Sequence, residues 1–131
     1  MIFVDTSFWV ALRNRADGHH GEATALLEAA HDHLVTTNLV RGETWTYLRR
    51  RAGHGSATAF LDAVEQSPRL EIVFVTEELE TRALRWLRRH DEREYSFVDA
   101  ASFEVMRAMR VREAFAFDGD FSAVGFTELR P

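Results

Sequence analysis

The sequence predicts an α/β fold with a parallel sheet covered by helices on both faces. Short apolar runs, of the length of buried strands, alternate along the chain with longer segments of helical periodicity. Strands separated by helices form βαβ units, whose strands lie parallel in one sheet between helical layers. The chain has 131 residues, of which 46% are hydrophobic. This fits one globular domain over residues 1–131, and no repeat or linker divides it.

Each predicted element is bounded by residue types that favour such a boundary. Side-chain oxygens can cap the first turn of a helix, as Thr37 or Asn38 and then Thr76 would do. Glycine and proline break the helical periodicity at 53–55 and 67–68. The predicted elements are, in order, a strand at 2–5, a helix from Thr6 or Ser7, a helix at 20–33, a strand at 34–36, helices at 39–51 and 56–66, a strand at 70–75, helices at 77–90 and 97–110, and strands at 114–117 and 126–129.

The composition excludes several kinds of catalytic site. The chain has no cysteine, which excludes disulfides, thiolate catalysis and cysteine-containing zinc sites. All 16 basic residues are arginine, so the chain lacks the lysine of a nucleotide-binding P-loop. Phosphatases and receiver domains that combine a lysine with an aspartate after the first strand are excluded for the same reason. No two histidines lie four residues apart within one predicted helix, so the histidines are expected to be scattered on the surface.

Four acidic residues adjoin apolar runs, where charged side chains are uncommon unless they are paired or bind a metal. Three of them follow a strand or lie at the start of a predicted helix. The fourth, Glu43, shares a predicted helix face with Leu39 and Tyr47, so its carboxylate is expected to point along an apolar stripe. The four residues are Asp5, Glu43, Asp99 and Asp118.

Each of the three aspartates also has a local explanation. Asp5 can be the N-cap of the helix that follows it. Ser96 and Asp99 have the spacing of a capping box, and Asp118 lies in an Asp-Gly turn. Glu43 has no such role, and an uncompensated charge on an apolar stripe would cost on the order of several kcal/mol. Their joint placement at strand ends and helix starts favours a shared site.

The grouped carboxylates predict a divalent-metal site. Ligands of open parallel sheets bind at the carboxyl ends of the strands, where Asp5 and Asp118 both fall. Carboxylates that lie together repel one another and take up protons unless cations are present. Mg²⁺ or Mn²⁺ suits a site of carboxylates, water and substrate phosphate, and such ions promote phosphodiester hydrolysis. The predicted chemistry is therefore cleavage of a nucleic-acid backbone.

Location and net charge give weaker indications. No apolar stretch approaches 18 residues, and Asp5 interrupts the first apolar run, so no cleavable signal is expected. A cytoplasmic protein without a membrane segment is predicted. The net charge of −5 argues mildly against a nucleic-acid partner. However, the four candidate carboxylates carry four of these charges and bound cations would offset them, so the net charge does not decide the question.

The four acids lie in four short segments that occur in order along the whole chain. They are MIFVDTS at 1–7, RGET at 41–44, SFVDA at 96–100, and FDGDF at 117–121 with GF at 125–126. This ordered set resembles the PIN-domain family, particularly the VapC toxins of bacterial toxin–antitoxin pairs. One departure is Ala116, because many relatives carry Thr or Ser two residues before the fourth acid. The departure puts a supporting hydroxyl in doubt, but not the carboxylates.

The resemblance implies a three-layer α/β/α PIN fold and an Mg²⁺- or Mn²⁺-dependent endoribonuclease that leaves 5′-phosphate and 3′-hydroxyl ends. It implies an RNA substrate, often tRNA or rRNA, a homodimer, and a VapB-type antitoxin whose C-terminal segment lies across the site. The catalytic metal ligands would be Asp5, Glu43, Asp99 and Asp118, with Asp120 as a weaker accessory ligand. The residues that position carboxylates, water or phosphate would be Thr6 or Ser7, and Ser96.

Two other functions remain open. The chain could be a PIN-like module that binds RNA or protein without cutting it. It could also be a metal-dependent phosphatase that acts on small substrates.

The arginine clusters each have two explanations. Glu78 precedes Arg82 by one helical turn, which favours an ion-paired surface. The arginines at 49–51 end a helix, where cations suit the helix dipole, and contact with RNA phosphates is the alternative. Arg107 and Arg110 follow the third acid on its own helix and are expected either to lie on the surface or to flank the site.

Overall fold

Five parallel strands form the central sheet of the computed structural model, which describes all 131 residues. The strands are β1 (Ile2–Val4), β2 (Leu34–Thr37), β3 (Leu70–Val73), β4 (Glu113–Phe115) and β5 (Thr127–Glu128). Their order across the sheet is β3-β2-β1-β4-β5, and each neighbouring pair is parallel. This confirms the predicted α/β class with a parallel sheet.

Seven helices connect the strands. They are α1 (Thr6–Arg13), α2 (His20–Ala29), α3 (Asn38–Arg51), α4 (His54–Gln66), α5 (Glu77–Arg89), α6 (Phe97–Met109) and α7 (Asp120–Ala123). The chain crosses the sheet in one direction from β1 through β2 to β3, returns to β4 on the other side of β1, and continues in the other direction to β5. Right-handed crossovers in opposite directions place helices on opposite faces of the sheet, which gives three α/β/α layers.

This strand order creates a crevice at one edge of the molecule. The chain leaves β1 toward β2 and leaves the neighbouring strand β4 toward β5, so the loops that follow these two strands diverge. Parallel sheets bind ligands at such switch points, outside the carboxyl ends of the strands. Register fixes the two strand ends side by side, because Val4 pairs with Phe115. Asp5 lies directly after β1, and Asp118 lies three residues after the end of β4.

Burial on both faces explains the sequence pattern of the central strands. All residues of β1 and β2 are buried, as is typical of a parallel sheet with two helical layers. The edge strand β3 is only partly buried. Phe3 of β1 packs near Phe121 on one side, and Phe103 of α6 meets Phe121 edge-on at 5.0 Å between ring centroids. The strands and helices thus share one apolar core of 23 buried residues.

Helix α2 ends at Ala29, although the sequence predicted an end near residue 33. Ala30 adopts extended backbone angles. The guanidinium of Arg69 donates hydrogen bonds to the carbonyls of Leu27 and Ala30. These carbonyls at the helix end are therefore satisfied by a residue far along the chain, which a local pattern does not show.

The strands are shorter than predicted, for a similar reason. Strand β3 ends at Val73, and the N–H of Val75 donates instead to the side chain of Asn38 at 2.8 Å. Strand β4 ends at Phe115. The short helix α7 was not predicted; it begins after Gly119, whose φ of +82° suits a glycine. No helix has both the length and the apolar character that crossing a membrane requires.

Candidate active site

A cleft of about 540 Å³ opens at the carboxyl ends of β1 and β4. All four predicted carboxylates line it, although they come from four separate segments of the chain. The predicted supporting residues also line it. The predicted members of the lining are Asp5, Thr6, Ser7, Glu43, Ser96, Asp99 and Asp118. The joint placement expected from the sequence is therefore present in the structure.

Asp5 is fixed at the start of α1. Its side chain is the predicted N-cap and accepts hydrogen bonds from the backbone N–H of Ser7 at 3.1 Å and from the Ser7 hydroxyl at 2.7 Å. The backbone N–H of Asp5 donates to the carbonyl of Phe115 at the end of β4. Asp5 is only 2% exposed, so the cap and the buried position hold its carboxylate in one place.

Ser7 joins the two strand ends on either side of the crevice. Its hydroxyl donates to Asp5 and accepts a hydrogen bond from the N–H of Phe117 at 3.0 Å. Ala116 carries no hydroxyl and its side chain is buried, so the hydroxyl that contacts the backbone next to Asp118 is that of Ser7. The neighbouring hydroxyl of Thr6 is buried and has no partner within the protein. Thr6 is also part of the cleft lining.

Asp99 is held by the capping box that its spacing predicted. The Ser96 hydroxyl accepts a hydrogen bond from the N–H of Asp99 at 2.9 Å, and the Asp99 carboxylate accepts one from the N–H of Ser96 at 3.0 Å. Asp99 is 8% exposed. The role of Asp99 in the capping box is therefore compatible with a role in the site, because the cap positions its carboxylate at the cleft.

The loop after β4 places Asp118 and Asp120 beside Asp99. The Asp118 carboxylate accepts a hydrogen bond from the N–H of Asp120 at 3.2 Å, as in the predicted turn. Arg93 binds Asp120 through Nε at 2.9 Å and donates to the carbonyl of Asp118. The carboxylate of Glu128 accepts from the backbone N–H groups of Gly119 and Ser122. This network holds the loop against β5.

Three of these carboxylates could share one ion. Asp99, Asp118 and Asp120 each offer an oxygen within 4.8 Å of the other two. The donor set consists of hard oxygen atoms, which suits a divalent cation such as Mg²⁺ or Mn²⁺. The partnerless Thr6 hydroxyl lies in the same cleft. The residues present therefore fit a divalent metal. Asp5 lies near the same group, since the charges of Asp118 and Asp99 raise its pKa.

Crowding and burial change the proton affinity of the cluster. The pKa of Asp5 is raised to about 8, first by burial and then by the charge of Asp118, against the lowering effect of Ser7. The pKa of Asp99 is raised to about 7, mainly by burial, with contributions from the charges of Asp118 and Asp120. Burial also raises the pKa of Asp118. Without a cation, the cluster holds protons near neutral pH, and a bound cation would favour their release.

The prediction that Glu43 points along an apolar stripe is wrong. The buried face of α3 consists of Val40, Thr44 and Leu48, which follow one another at four-residue spacing. Glu43 and Tyr47 lie beside this stripe and are exposed. Thr44 is a polar residue at a core position, so the sequence pattern assigned the wrong face. Glu43 nevertheless faces the cleft, where water solvates its carboxylate.

Sequence reasoning missed four residues at the site. Asp17 and His19 line the cleft, while Arg93 and Glu128 hold the loop that carries Asp118. No local signal identifies them, because their contacts join distant parts of the chain. The Arg93–Asp120 pair spans 27 residues, and the His19 ring contacts Phe117 from the other end of the sequence.

The arginine clusters have different outcomes. Glu78 and Arg82 form the predicted ion pair at 2.7 Å. Arg107 does not flank the cleft, since it lies near the far end of α6 and pairs there with Glu104 at 2.9 Å. Arg110 ends the same helix and is likewise remote from the site. The cleft opens at the first turn of α6, whereas these arginines lie at the last turn. The alternative that they flank the site is therefore wrong.

Comparisons with known proteins agree with this geometry. The PIN-domain family model matches residues 2–127. The 23S rRNA-specific endonuclease VapC20 of Mycobacterium tuberculosis, in strains CDC 1551 / Oshkosh and H37Rv, is 55% identical over 131 residues, which cover 100% of this chain and 99% of the relative. A VapC ribonuclease of Archaeoglobus fulgidus is 27% identical over 124 residues, which cover 91% of this chain and 78% of the relative.

A solved structure extends the likeness to three dimensions. The crystal structure of Mycobacterium tuberculosis VapC20, described as a sarcin–ricin loop cleaving toxin, matches with a TM-score of 0.96 and 54% identity over 100% of both chains. The match includes the whole sheet and all the segments that carry the acids. The chain therefore belongs to the PIN-domain family and is a VapC-type toxin.

Proposed function

We propose that this protein is a metal-dependent endoribonuclease that acts as the toxin of a toxin–antitoxin pair, with the acidic cleft as its active site. The observation that carries the proposal is the convergence of Asp5, Asp99 and Asp118 at the switch point of the sheet. Burial raises the pKa of all three carboxyls, and the charges of neighbouring carboxylates raise it further. Such a costly arrangement is typical of functional sites.

The catalytic residues in this proposal are the quartet predicted from the sequence, and the ion is Mg²⁺ or Mn²⁺. Asp5, Asp99 and Asp118 would hold the metal, with Glu43 on the opposite wall. When bound, the metal activates water for attack on the phosphodiester and stabilises charge on the phosphate, leaving 5′-phosphate and 3′-hydroxyl ends. Asp120 is a weaker ligand because Arg93 already neutralises its carboxylate.

The hydroxyl residues position the carboxylates and the substrate. Ser7 orients Asp5 by its two hydrogen bonds, and Ser96 orients Asp99 through the capping box. The buried hydroxyl of Thr6 can donate to a phosphate oxygen or to water in the cleft. The exposed carboxylate of Glu43 can accept a proton from water on the open side of the site.

A second groove supports an RNA path. It has a volume of about 710 Å³, follows α3, and shares Glu43 and Tyr47 with the acidic cleft. Arg50 and Arg51 line its far end, and the guanidinium of Arg51 lies 4.9 Å from the Tyr47 ring centroid. An RNA strand could therefore place one phosphate near the carboxylates and the next phosphates near these arginines.

The similarity to VapC20 supports a ribosomal RNA substrate. VapC20 is a 23S rRNA-specific endonuclease and shares 55% of its residues with this chain over the full length. We therefore propose a structured rRNA loop as the substrate, with tRNA as the substrate class to compare. The proposal also includes a cytoplasmic location, a VapB-type antitoxin and a homodimer. Exposed Phe74 and Leu84, outside the cleft, are available for a protein contact.

The test is cleavage of RNA by the purified, antitoxin-free protein. Synthetic rRNA stem-loops and tRNAs are incubated with Mg²⁺ or Mn²⁺, and in parallel with a chelator. We expect cleavage only with the metal, and products that a 5′-phosphate-dependent exonuclease degrades. Cleavage that persists in chelator, or products with cyclic phosphate ends, would contradict the proposal.

The same preparation separates the two other functions. Faster turnover of an aryl phosphate than of any RNA would identify a phosphatase. Inactivity of the metal-loaded protein on every RNA would favour a module that only binds.

A further inference from the structure

Four stacked rings run from the protein core to the wall of the acidic cleft. Phe8 stacks on Phe115 with ring centroids 4.4 Å apart, and on Phe117 with centroids 5.8 Å apart. The imidazole of His19 stacks on Phe117 at 4.4 Å, with the two planes only 5° apart. Phe8 and Phe115 are buried, Phe117 is half-buried, and the side chain of His19 is 48% exposed.

The outermost ring is held in place although it is exposed. Nδ1 of His19 is 3.0 Å from the carboxylate of Glu22, and the backbone N–H of His19 donates to the side chain of Asp17 at 2.8 Å. On the inner side, the stack on Phe117 fixes the plane of the imidazole. The exposed imidazole is therefore held in a defined orientation.

The position of His19 matches that of a substrate contact. His19 and Phe117 both line the cleft that contains the four carboxylates. Phe117 directly precedes Asp118 in the chain, so the stacked pair lies beside the catalytic loop. Proteins that recognise single-stranded or looped RNA stack unpaired bases on aromatic side chains, histidine included.

We propose that His19 is a base-stacking residue, which holds one unpaired nucleotide of the RNA beside the phosphate that is cleaved. The base would stack on the face of His19 that is turned away from Phe117. This inference rests on the proposed ribonuclease function, and it names the part of the RNA that this wall of the cleft contacts. Because stacking uses the face of the ring, an aromatic ring without nitrogen atoms can replace the imidazole.

The experiment compares His19→Leu with His19→Phe. Binding is measured in chelator with a hairpin RNA that carries 2-aminopurine in its loop, whose fluorescence falls when the base stacks. Cleavage of the same RNA is measured with Mn²⁺. The control is His31→Leu, which changes an exposed histidine on the loop before β2, at the end of the sheet opposite the cleft.

We expect His19→Leu to weaken RNA binding about tenfold to a hundredfold and to lose the fluorescence quenching, as the loss of one stacked base predicts. His19→Phe should restore binding, quenching and cleavage to within about threefold of the parent, and His31→Leu should match the parent. Equal behaviour of the leucine and phenylalanine variants, whether both are normal or both inactive, would overturn the role in stacking. A parent that cleaves no RNA would instead overturn the proposed function, and the stacking role with it.

Discussion

The two walls of the cleft are built by different means. On one wall, Asp5, Asp99 and Asp118 each accept a hydrogen bond from a backbone N–H within three residues in the chain. On the other wall, Glu43 and Tyr47 project from an exposed face of α3. The first wall holds carboxyl groups at fixed points, and the second presents exposed side chains that can move to meet a substrate.

This difference separates the chemistry from the recognition. On the first wall, burial raises the pKa of Asp5 and Asp99, and the charges of neighbouring carboxylates raise it further. A cation that binds these carboxylates would offset the free-energy cost of keeping them ionised. The second wall continues into the groove with Arg50 and Arg51, where positive charge suits a phosphate backbone. We therefore expect substitutions on the first wall to reduce turnover, and substitutions along the groove to weaken binding.

The largest effect is expected from the fixed wall. Asp5→Asn or Asp99→Asn should reduce RNA cleavage at least about a hundredfold, because each removes a charge that would hold the metal. Glu43→Gln should reduce it less, about tenfold, since that carboxylate is exposed and adaptable. The measurement is kcat and KM on one RNA substrate with Mn²⁺, with the exposed Asp91→Asn as the control.

The ranking of these variants is as informative as their activity. If Asp99→Asn cleaved as well as the parent, the assignment of the cleft as the active site would fail. If Glu43→Gln lost as much activity as Asp99→Asn, the distinction between a fixed and an adaptable wall would be wrong.

A smaller effect is expected from the arginine groove. Arg50→Ala and Arg51→Ala should each weaken RNA binding several-fold and leave kcat nearly unchanged. Each should also reduce the slope of log K against log salt concentration by about 0.7, the value for one lost phosphate contact on a single strand. The matched control is Arg49→Ala, because Arg49 belongs to the same cluster but does not line the groove. An equal change in the Arg49 variant would show that only the general charge matters.

The sequence predicted the fixed wall well because local rules build it. The N-cap at Asp5, the capping box at Asp99 and the turn at Asp118 are short patterns, and the alternation of strands and helices determines where they meet. The local explanations did not compete with the shared site. The caps and the turn orient the carboxylates toward the cleft.

The adaptable wall was harder to predict, because it depends on which side of α3 packs against the core. Thr44 at a buried position displaced the predicted stripe by one residue and put Glu43 on the wrong side of it. The contacts of His19, Arg93 and Glu128 depend on residues brought together only by the fold. The ends of α2 and β3 were misplaced for the same reason, since Arg69 and Asn38 satisfy backbone groups from a distance.

The central claim is that the fixed carboxylates form a divalent-cation site, and linkage between pH and stability tests it. The carboxyls of Asp5 and Asp99 have raised pKa values of about 8 and about 7. The folded chain therefore binds more protons than the unfolded chain between about pH 4 and pH 8, and in chelator its stability should fall as the pH rises through this range. A cation that replaces these protons should restore stability, most strongly at the higher pH.

The direct measurement is the thermal midpoint of the parent and of Asp5→Asn at pH 5 and pH 8, in chelator and with Mn²⁺. At pH 8, we predict that Mn²⁺ at about a hundred times its Kd stabilises the parent by about 2.7 kcal/mol, which raises Tm by roughly 10 °C. The gain should be smaller at pH 5 and largely absent from Asp5→Asn, which in chelator at pH 8 should be more stable than the parent. A parent Tm that does not respond to Mn²⁺ at either pH, or an equal response of the Asp5→Asn variant, would contradict a metal site built from these carboxylates.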